Sequence, residues 1–225
     1  GVTEVSEYFG LYKSTVHNIL STLKAMEYLE QDEETGKYRL GIQIFNLSKA
    51  LGDTYSITKI AGPYMQELSN YTGERCYLAV PYRQEVLYLD AMYPADSIEL
   101  MRSILGERAQ MHCTGLGKAM LANMGEREIS DYLEHHKLEA FTENSIIDKK
   151  QFREELLRTK QRGYALDDME HEFGIKCIAM PVFDRTKNVY AAISISGMAN
   201  HFTDANIAEW AMLLKKYIRK IESRL

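Results

Sequence analysis

Along the first thirty residues the apolar positions follow helical spacing. Val5, Tyr8 and Phe9 fall within a short segment, Thr3–Phe9. After Gly10, Val16, Ile19, Leu20, Leu23, Met26 and Leu29 recur along one side of a second segment. The spacing predicts an amphipathic helix with Ser14 or Thr15 as its N-cap. Tyr28–Gln31 and Lys37–Leu40 then flank the turn Asp32-Glu33-Glu34-Thr35-Gly36 and predict a hairpin. Helix, glycine turn, helix and hairpin is the order of a winged helix-turn-helix. Two more helical patterns follow. Gly41–Asp53 is the first; the second has Ile57, Ile60, Ala61, Tyr64, Met65, Leu68 and Tyr71 apolar, with Pro63 near its start or at a kink.

The period then shortens to two. Arg75–Pro81, Glu85–Met92, Ser97–Met101 and Gly163–Leu166 read as strands. The most apolar stretch, Gly174–Gly197, contains two β-branched runs, Lys176–Phe183 and Val189–Ser196. With Arg185–Asn188 as their loop, Cys177 faces Ser196, Ala179 faces Ser194 and Pro181 faces Ala192. Alternation places Ile175, Cys177, Ser194 and Ser196 on one face, and Ile178, Met180, Ile193 and Ile195 on the other. Helices are expected from Thr114 to Asn123, over Glu126–His136, over Asp148–Arg162 and over Thr203–Arg224. In the third of these, Phe152, Leu156 and Leu157 oppose Arg153, Glu154, Glu155 and Arg158; in the fourth, Ile207, Ala211, Leu214, Ile218 and Ile221 point inward. The order predicts an α+β fold, one antiparallel-type sheet with helices around it.

Composition bounds the chemistry. At 225 residues and 45% hydrophobic, the chain is long enough for one substantial core and a small second domain. A formal charge of −5 gives no global attraction for nucleic acid, so a DNA-binding role rests on a local surface. No apolar run approaches the ~18–20 residues of a membrane span, so no span is expected, and no signal peptide is expected either. Three cysteines, Cys76, Cys113 and Cys177, an odd number without short spacing, argue against a disulfide framework or a zinc cluster and suit a reducing cytoplasm. Because Gly1 already lies in a helical pattern, part of the first domain is expected to be missing.

Tyr12, Lys13, Ser14, Thr15, His17 and Asn18 lie at the start of the second helix or away from its apolar side, and are of types that contact phosphates and base edges. Lys37 and Arg39 on the hairpin suit phosphate contacts. Local charge argues the other way: Gly1–Gly41 holds four basic and seven acidic residues, although most of the acids cluster at Glu27–Glu34. A helical hairpin with a polar face is the alternative. The thiol and two hydroxyls of Cys177, Ser194 and Ser196 suit the floor of a ligand pocket; equally, the serines can bond backbone and Cys177 serve as a small hydrophobe. Thr114-Gly115-Leu116-Gly117-Lys118 is not a phosphate loop, because His112 and Ala119 stand where Gly and Ser/Thr are required. It can still cap a helix whose first amides receive an anion such as a small carboxylate. Asp167 can bond a ligand hydroxyl or hold loop amides. An enzyme using Cys177 is the rival, but no Gly-x-Ser-x-Gly elbow or His-Glu-x-x-His helix is present. Metal ligation by Asp167, Cys177 and His112 lacks ligand spacing.

The segments STVHNILSTLKAMEYLEQDEETGKYRLG, HCTGLGKAMLA, RGYALDDMEHEFGIKCIAMPVFD and AAISISG, in that order, resemble the IclR family of bacterial transcription regulators. The resemblance implies a winged helix-turn-helix over 1–41, a linker helix over 42–56 and a GAF-like effector-binding domain over 57–225. It implies a repressor, acting as a homodimer or tetramer on a pseudo-palindromic operator in double-stranded DNA and controlled by a small carboxylate, with no cofactor and no membrane. It also implies an effector site: Gly115 and Leu116 from TGLGKA, Asp167 from YALDD, Ile175 and Cys177 from GIKC, Ser194 and Ser196 from SIS. Ile98 and Met101 from SIELM would add an apolar wall. Asn18 departs from the family, which often carries arginine there. A sensor module that binds protein instead of DNA is a third possibility.

Overall fold

A computed structural model describes residues 1–54, 56–95 and 104–225. They form two compact units, Gly1–Ser56 and Ile57–Leu225.

In the first unit, α1 (Val2–Phe9) ends at Gly10, whose φ of 64° is readily available only without a side chain. The Ser6 hydroxyl donates to the Leu11 carbonyl across this turn at 2.6 Å. α2 spans Lys13–Ala25 and buries Val16 and Leu20. Ile19 and Met26 are exposed, so the buried stripe is narrower than the spacing predicts. The cap also differs: α2 begins at Lys13 with Tyr12 as N-cap and no side-chain cap. Ser14 and Thr15 therefore lie inside the first turn. β1 (Leu29–Gln31) and β2 (Tyr38–Leu40) pair antiparallel, with Glu30 opposite Arg39. Asp32 closes their turn by accepting from the Thr35 amide at 2.7 Å. α3 (Gln43–Thr54) completes the unit.

In the second unit, α4 (Ser56–Thr72) is followed by β3 (Arg75–Tyr82), β4 (Glu85–Met92) and β5 (Arg108–Gln110). α5 (Gly115–Leu121), α6 (Glu126–His135) and α7 (Lys149–Arg162) come next, then β6 (Ala165–Asp168), β7 (Ile175–Phe183), β8 (Val189–Met198) and α8 (Asp204–Glu222). The six strands form one antiparallel sheet in the order β5-β4-β3-β8-β7-β6. The β7–β8 register matches the sequence expectation: Cys177 with Ser196, Ala179 with Ser194 and Pro181 with Ala192.

Each sheet face carries its own core. Ile178, Met180, Ile193 and Ile195 pack with Ile57, Ala61, Met65 and Leu68 of α4 and with Trp210, Leu214, Ile218 and Ile221 of α8. Cys177, Ala179 and Ala192 pack on the other face with α5, α6 and α7. Small residues in this second layer let α5 approach closely. A Cβ on Gly117 would stand 2.2 Å from the Met111 Cα, and one on Gly115 would stand 2.8 Å from the Cys177 sulfur.

Three further expectations from spacing are corrected. Tyr71 faces solvent and its hydroxyl donates to Glu209, because a phenol is better satisfied at the rim. Leu157 is exposed while Glu155 is buried, since Glu155 ion-pairs with Arg158 at 3.0 Å and Arg162 at 3.2 Å. α5 ends at Leu121, short of Asn123. The expected strand Ser97–Met101 lies outside the described residues.

Candidate functional site

The cavity is built where α5 begins. Thr114 caps the helix, its hydroxyl accepting from the Gly117 amide at 3.1 Å. Glycine at 115 lets the helix start rest against β7, beside Cys177 and Ala179. Between α5, the sheet and the loop after β6 lies a cavity of about 400 Å³. Of the nine residues that the resemblance implies for the effector site, Gly115, Leu116, Asp167, Ile175, Cys177, Ser194 and Ser196 line it. Ile98 and Met101 lie outside the described residues.

Pairing of β3 with β8 adds residues that the sequence reading did not find. Arg75 lies opposite Ser196 and Tyr77 opposite Ser194, so both belong to the cavity face. Tyr88 of β4 meets Tyr77 edge to face, ring centroids 5.7 Å apart. Tyr93, Arg108 and His171 also line the cavity, together with Glu107 and Glu172. The signal was present as alternation in Arg75–Tyr77, but it becomes readable only once the strand neighbours are known.

The floor is polar and incompletely satisfied. Ser194 is 0% exposed, and its hydroxyl has no conventional hydrogen-bond partner. Cys177 lies beside it as a weak partner. Burial pushes the Cys177 thiol up well beyond its ordinary range, and the adjacent Ser194 hydroxyl and Gly115 amide offset this only in part. Cys113 lies 3.5 Å from His171 Nδ1, yet burial pushes its thiol up to about 12. At neutral pH both sulfurs are thiols and therefore poor nucleophiles. His112 is buried, with Nε2 2.9 Å from the Glu139 carbonyl oxygen. Among the described residues no cluster could hold a metal ion.

Asp167 accepts the Glu170 amide at 2.8 Å, the loop-holding role, and also lines the cavity. Burial pushes its carboxyl up to about 7, against the opposing effect of its amide donors and Lys118. A folded-state value above the unfolded one stabilises the protein at low pH, and that stability is lost as pH rises from about 4 through about 7. In the unliganded protein, Asp167→Asn is therefore expected to be neutral near pH 4. At pH 8 it should stabilise by roughly 4 kcal/mol, at ~1.4 kcal/mol for each pH unit between about 4 and about 7. Urea unfolding at the two pH values measures this; equal differences at both would contradict it.

In the first unit, Tyr12, Lys13, Ser14, Thr15, His17 and Asn18 are all exposed. The α2 start has no side-chain cap, so amides of its first turn remain available to an anion such as a phosphate. Arg39 pairs with Glu30 at 2.7 Å and Lys37 with Glu4 at 3.8 Å, all four side chains substantially exposed. Exposed pairs of this kind are weak and readily exchanged for a phosphate.

A helix-turn-helix unit joined to an α+β unit with a polar-floored cavity defines a ligand-responsive transcription regulator. The chain belongs to the IclR family of bacterial transcriptional regulators. The model of the bacterial transcriptional regulator IclR C-terminal domain matches residues 49–223, and that of the IclR helix-turn-helix domain matches residues 1–33. The HTH-type transcriptional regulator XynR of Escherichia coli K12 is 32% identical over 96% of this chain and 85% of its own. The transcriptional repressor IclR of the same strain is 29% identical, covering 98% of this chain and 81% of its own. The crystal structure of the Thermotoga maritima IclR, 28% identical, superposes with a TM-score of 0.80 over 100% of this chain and 90% of that one. No helix among the described residues is long and apolar enough to cross a membrane.

Proposed function

We propose that this chain is a repressor whose α2 and wing read a pseudo-palindromic operator as part of a homodimer or tetramer. A small carboxylic acid in the α5 cavity controls it. The amides of Gly115 and Leu116 and the hydroxyls of Ser194 and Ser196 supply its polar contacts, and Tyr77 and Tyr88 supply an aromatic wall. Leu116 and Ile175 narrow the remaining space. One observation carries this reading: a fully buried Ser194 hydroxyl without a conventional partner, on the floor of a cavity of about 400 Å³. A buried polar group left open costs on the order of 1–3 kcal/mol unless something completes it. An IclR homologue from Microbacterium hydrocarbonoxydans, 21% identical with a TM-score of 0.86 over 99% of this chain and 89% of that one, was solved with 4-hydroxybenzoate.

Calorimetric titration with pyruvate, galacturonate and 4-hydroxybenzoate tests the cavity. One of these acids should bind, and Ser194→Ala with Ser196→Ala should weaken it by about tenfold or more, each lost hydrogen bond being worth ~1 kcal/mol. Unchanged affinity in the double variant would rule out this floor. The reading face is tested by mobility shift with the native upstream region. Lys37→Ala and Arg39→Ala should each reduce the slope of log affinity against log salt by about one while sparing sequence preference. Identical slopes would remove the wing from the interface.

A further inference from the structure

An imbalance of charge lies at the cavity wall and directly behind it, where Asp167 lines the cavity and Lys118 and Glu170 are buried. Lys118, 0% exposed, donates its ammonium to the Leu166 carbonyl and pairs with Glu170 Oε1. Glu170 Oε2 is buried with no hydrogen-bond partner. Asp167, 6% exposed, is tied to the same loop by the Glu170 amide and faces the cavity. Two enclosed carboxylates against one ammonium leave a net negative charge, and a carboxylate guest adds another. Burying two uncompensated anions side by side costs more than moving a proton onto one of them.

The neighbouring groups do not remove the imbalance. On the cavity wall Arg75 and Arg108 equal Glu107 and Glu172 in number. Cys177 from β7, Cys113 from before α5 and Tyr88 from β4 are all pushed up by burial, so they stay protonated and uncharged. Burial lowers His171, which leaves its imidazole neutral. Glu155, buried on α7, acts on Glu170 from behind and has Arg158 and Arg162 as partners.

We propose that an acid effector enters the cavity as its anion together with one proton from solvent, and that Asp167 takes that proton and donates the resulting O–H to the guest's carboxylate. The inference rests on the effector reading above and adds its chemistry: the site selects a monoanionic carboxylate and senses pH through the same contact. Nothing is oxidised or reduced; one O–H bond forms on Asp167. Glu170 is less suited to the role, because Lys118 already holds one of its oxygens. Asp167, pushed up to about 7, takes a proton near neutral pH at small cost.

Calorimetry of the full chain with pyruvate, galacturonate and 4-hydroxybenzoate, in buffers of different ionisation enthalpy at pH 7.5, counts the protons taken up. Wild type should take up between about half a proton and one, and its affinity should fall towards tenfold per unit between pH 7.5 and 9. Asp167→Asn should bind with uptake near zero and a flat pH profile, whereas His171→Gln, whatever its affinity, should still take up the proton. The carboxamide of whichever acid binds should show no uptake. Binding by wild type without proton uptake overturns the proposal and leaves the effector reading standing. Uptake that survives in Asp167→Asn, or vanishes in His171→Gln, overturns the assignment to Asp167; should Asp167→Asn fail to fold, the wild-type count and His171→Gln decide. If no acid binds, the effector reading falls and takes this inference with it.

Discussion

Gly117→Ala is expected to destabilise the Ile57–Leu225 unit by about 4 kcal/mol, lowering its Tm by roughly 10 °C. The added Cβ would meet the Met111 Cα at 2.2 Å, its carbonyl oxygen at 2.3 Å and its carbonyl carbon at 2.6 Å. These atoms are backbone, so no rotamer change relieves the overlap; α5 has to lift from the sheet. Lifting it parts Leu116 and Ala119 from Cys177 and Ala179, with which they share a core. Effector affinity should fall with stability, because Gly115 and Leu116 move with the helix. Thermal unfolding of the variant settles the matter: a Tm within about 3 °C of wild type would mean that α5 is not seated as described.

Lys118→Met is expected to cost about 3–5 kcal/mol at pH 8, because breaking a buried pair leaves an uncompensated charge. The ammonium is fully enclosed, and its removal strands both Glu170 and the Leu166 carbonyl. Burial already raises Glu170, and without the cation it rises further. The folded state then favours the protonated acid, so the variant's deficit should shrink as pH falls towards 5. Pairing it with Glu170→Leu should restore much of the loss, since an apolar replacement of a whole buried pair is often neutral. Urea unfolding of both variants at pH 5 and pH 8 measures this. A single variant as stable as wild type, or a deficit independent of pH, would show that the pair is solvated.

Much of the site was legible because β7 and β8 obey strict alternation. With Arg185–Asn188 as the loop, Cys177, Ser194 and Ser196 fall on one face by parity alone, and the observed pairing agrees. The α2 face was legible for the same reason, at period 3.6. What spacing could not supply was partnership. Glu155 and Leu157 exchange places because two arginines, Arg158 and Arg162, make the acid the better buried residue. Lys118 looked like the lysine of a failed phosphate motif, and only tertiary structure reveals the acid it meets. Arg75, Tyr77 and Tyr88 join the cavity through β3–β8 and β3–β4 pairing, contacts distant in sequence that no local period encodes.

β7 and β8 are shared by both cores, and neighbouring residues on one strand face opposite ways. Ser194 floors the cavity, while Ile193 and Ile195 on either side of it bed α4 and α8. A guest that tilts the floor therefore tilts the bed by the same stroke, with a single peptide plane as the fulcrum. Along β8, then, a step of one residue separates the cavity floor from the bed of α4, the helix that begins where the Gly1–Ser56 unit ends in chain order.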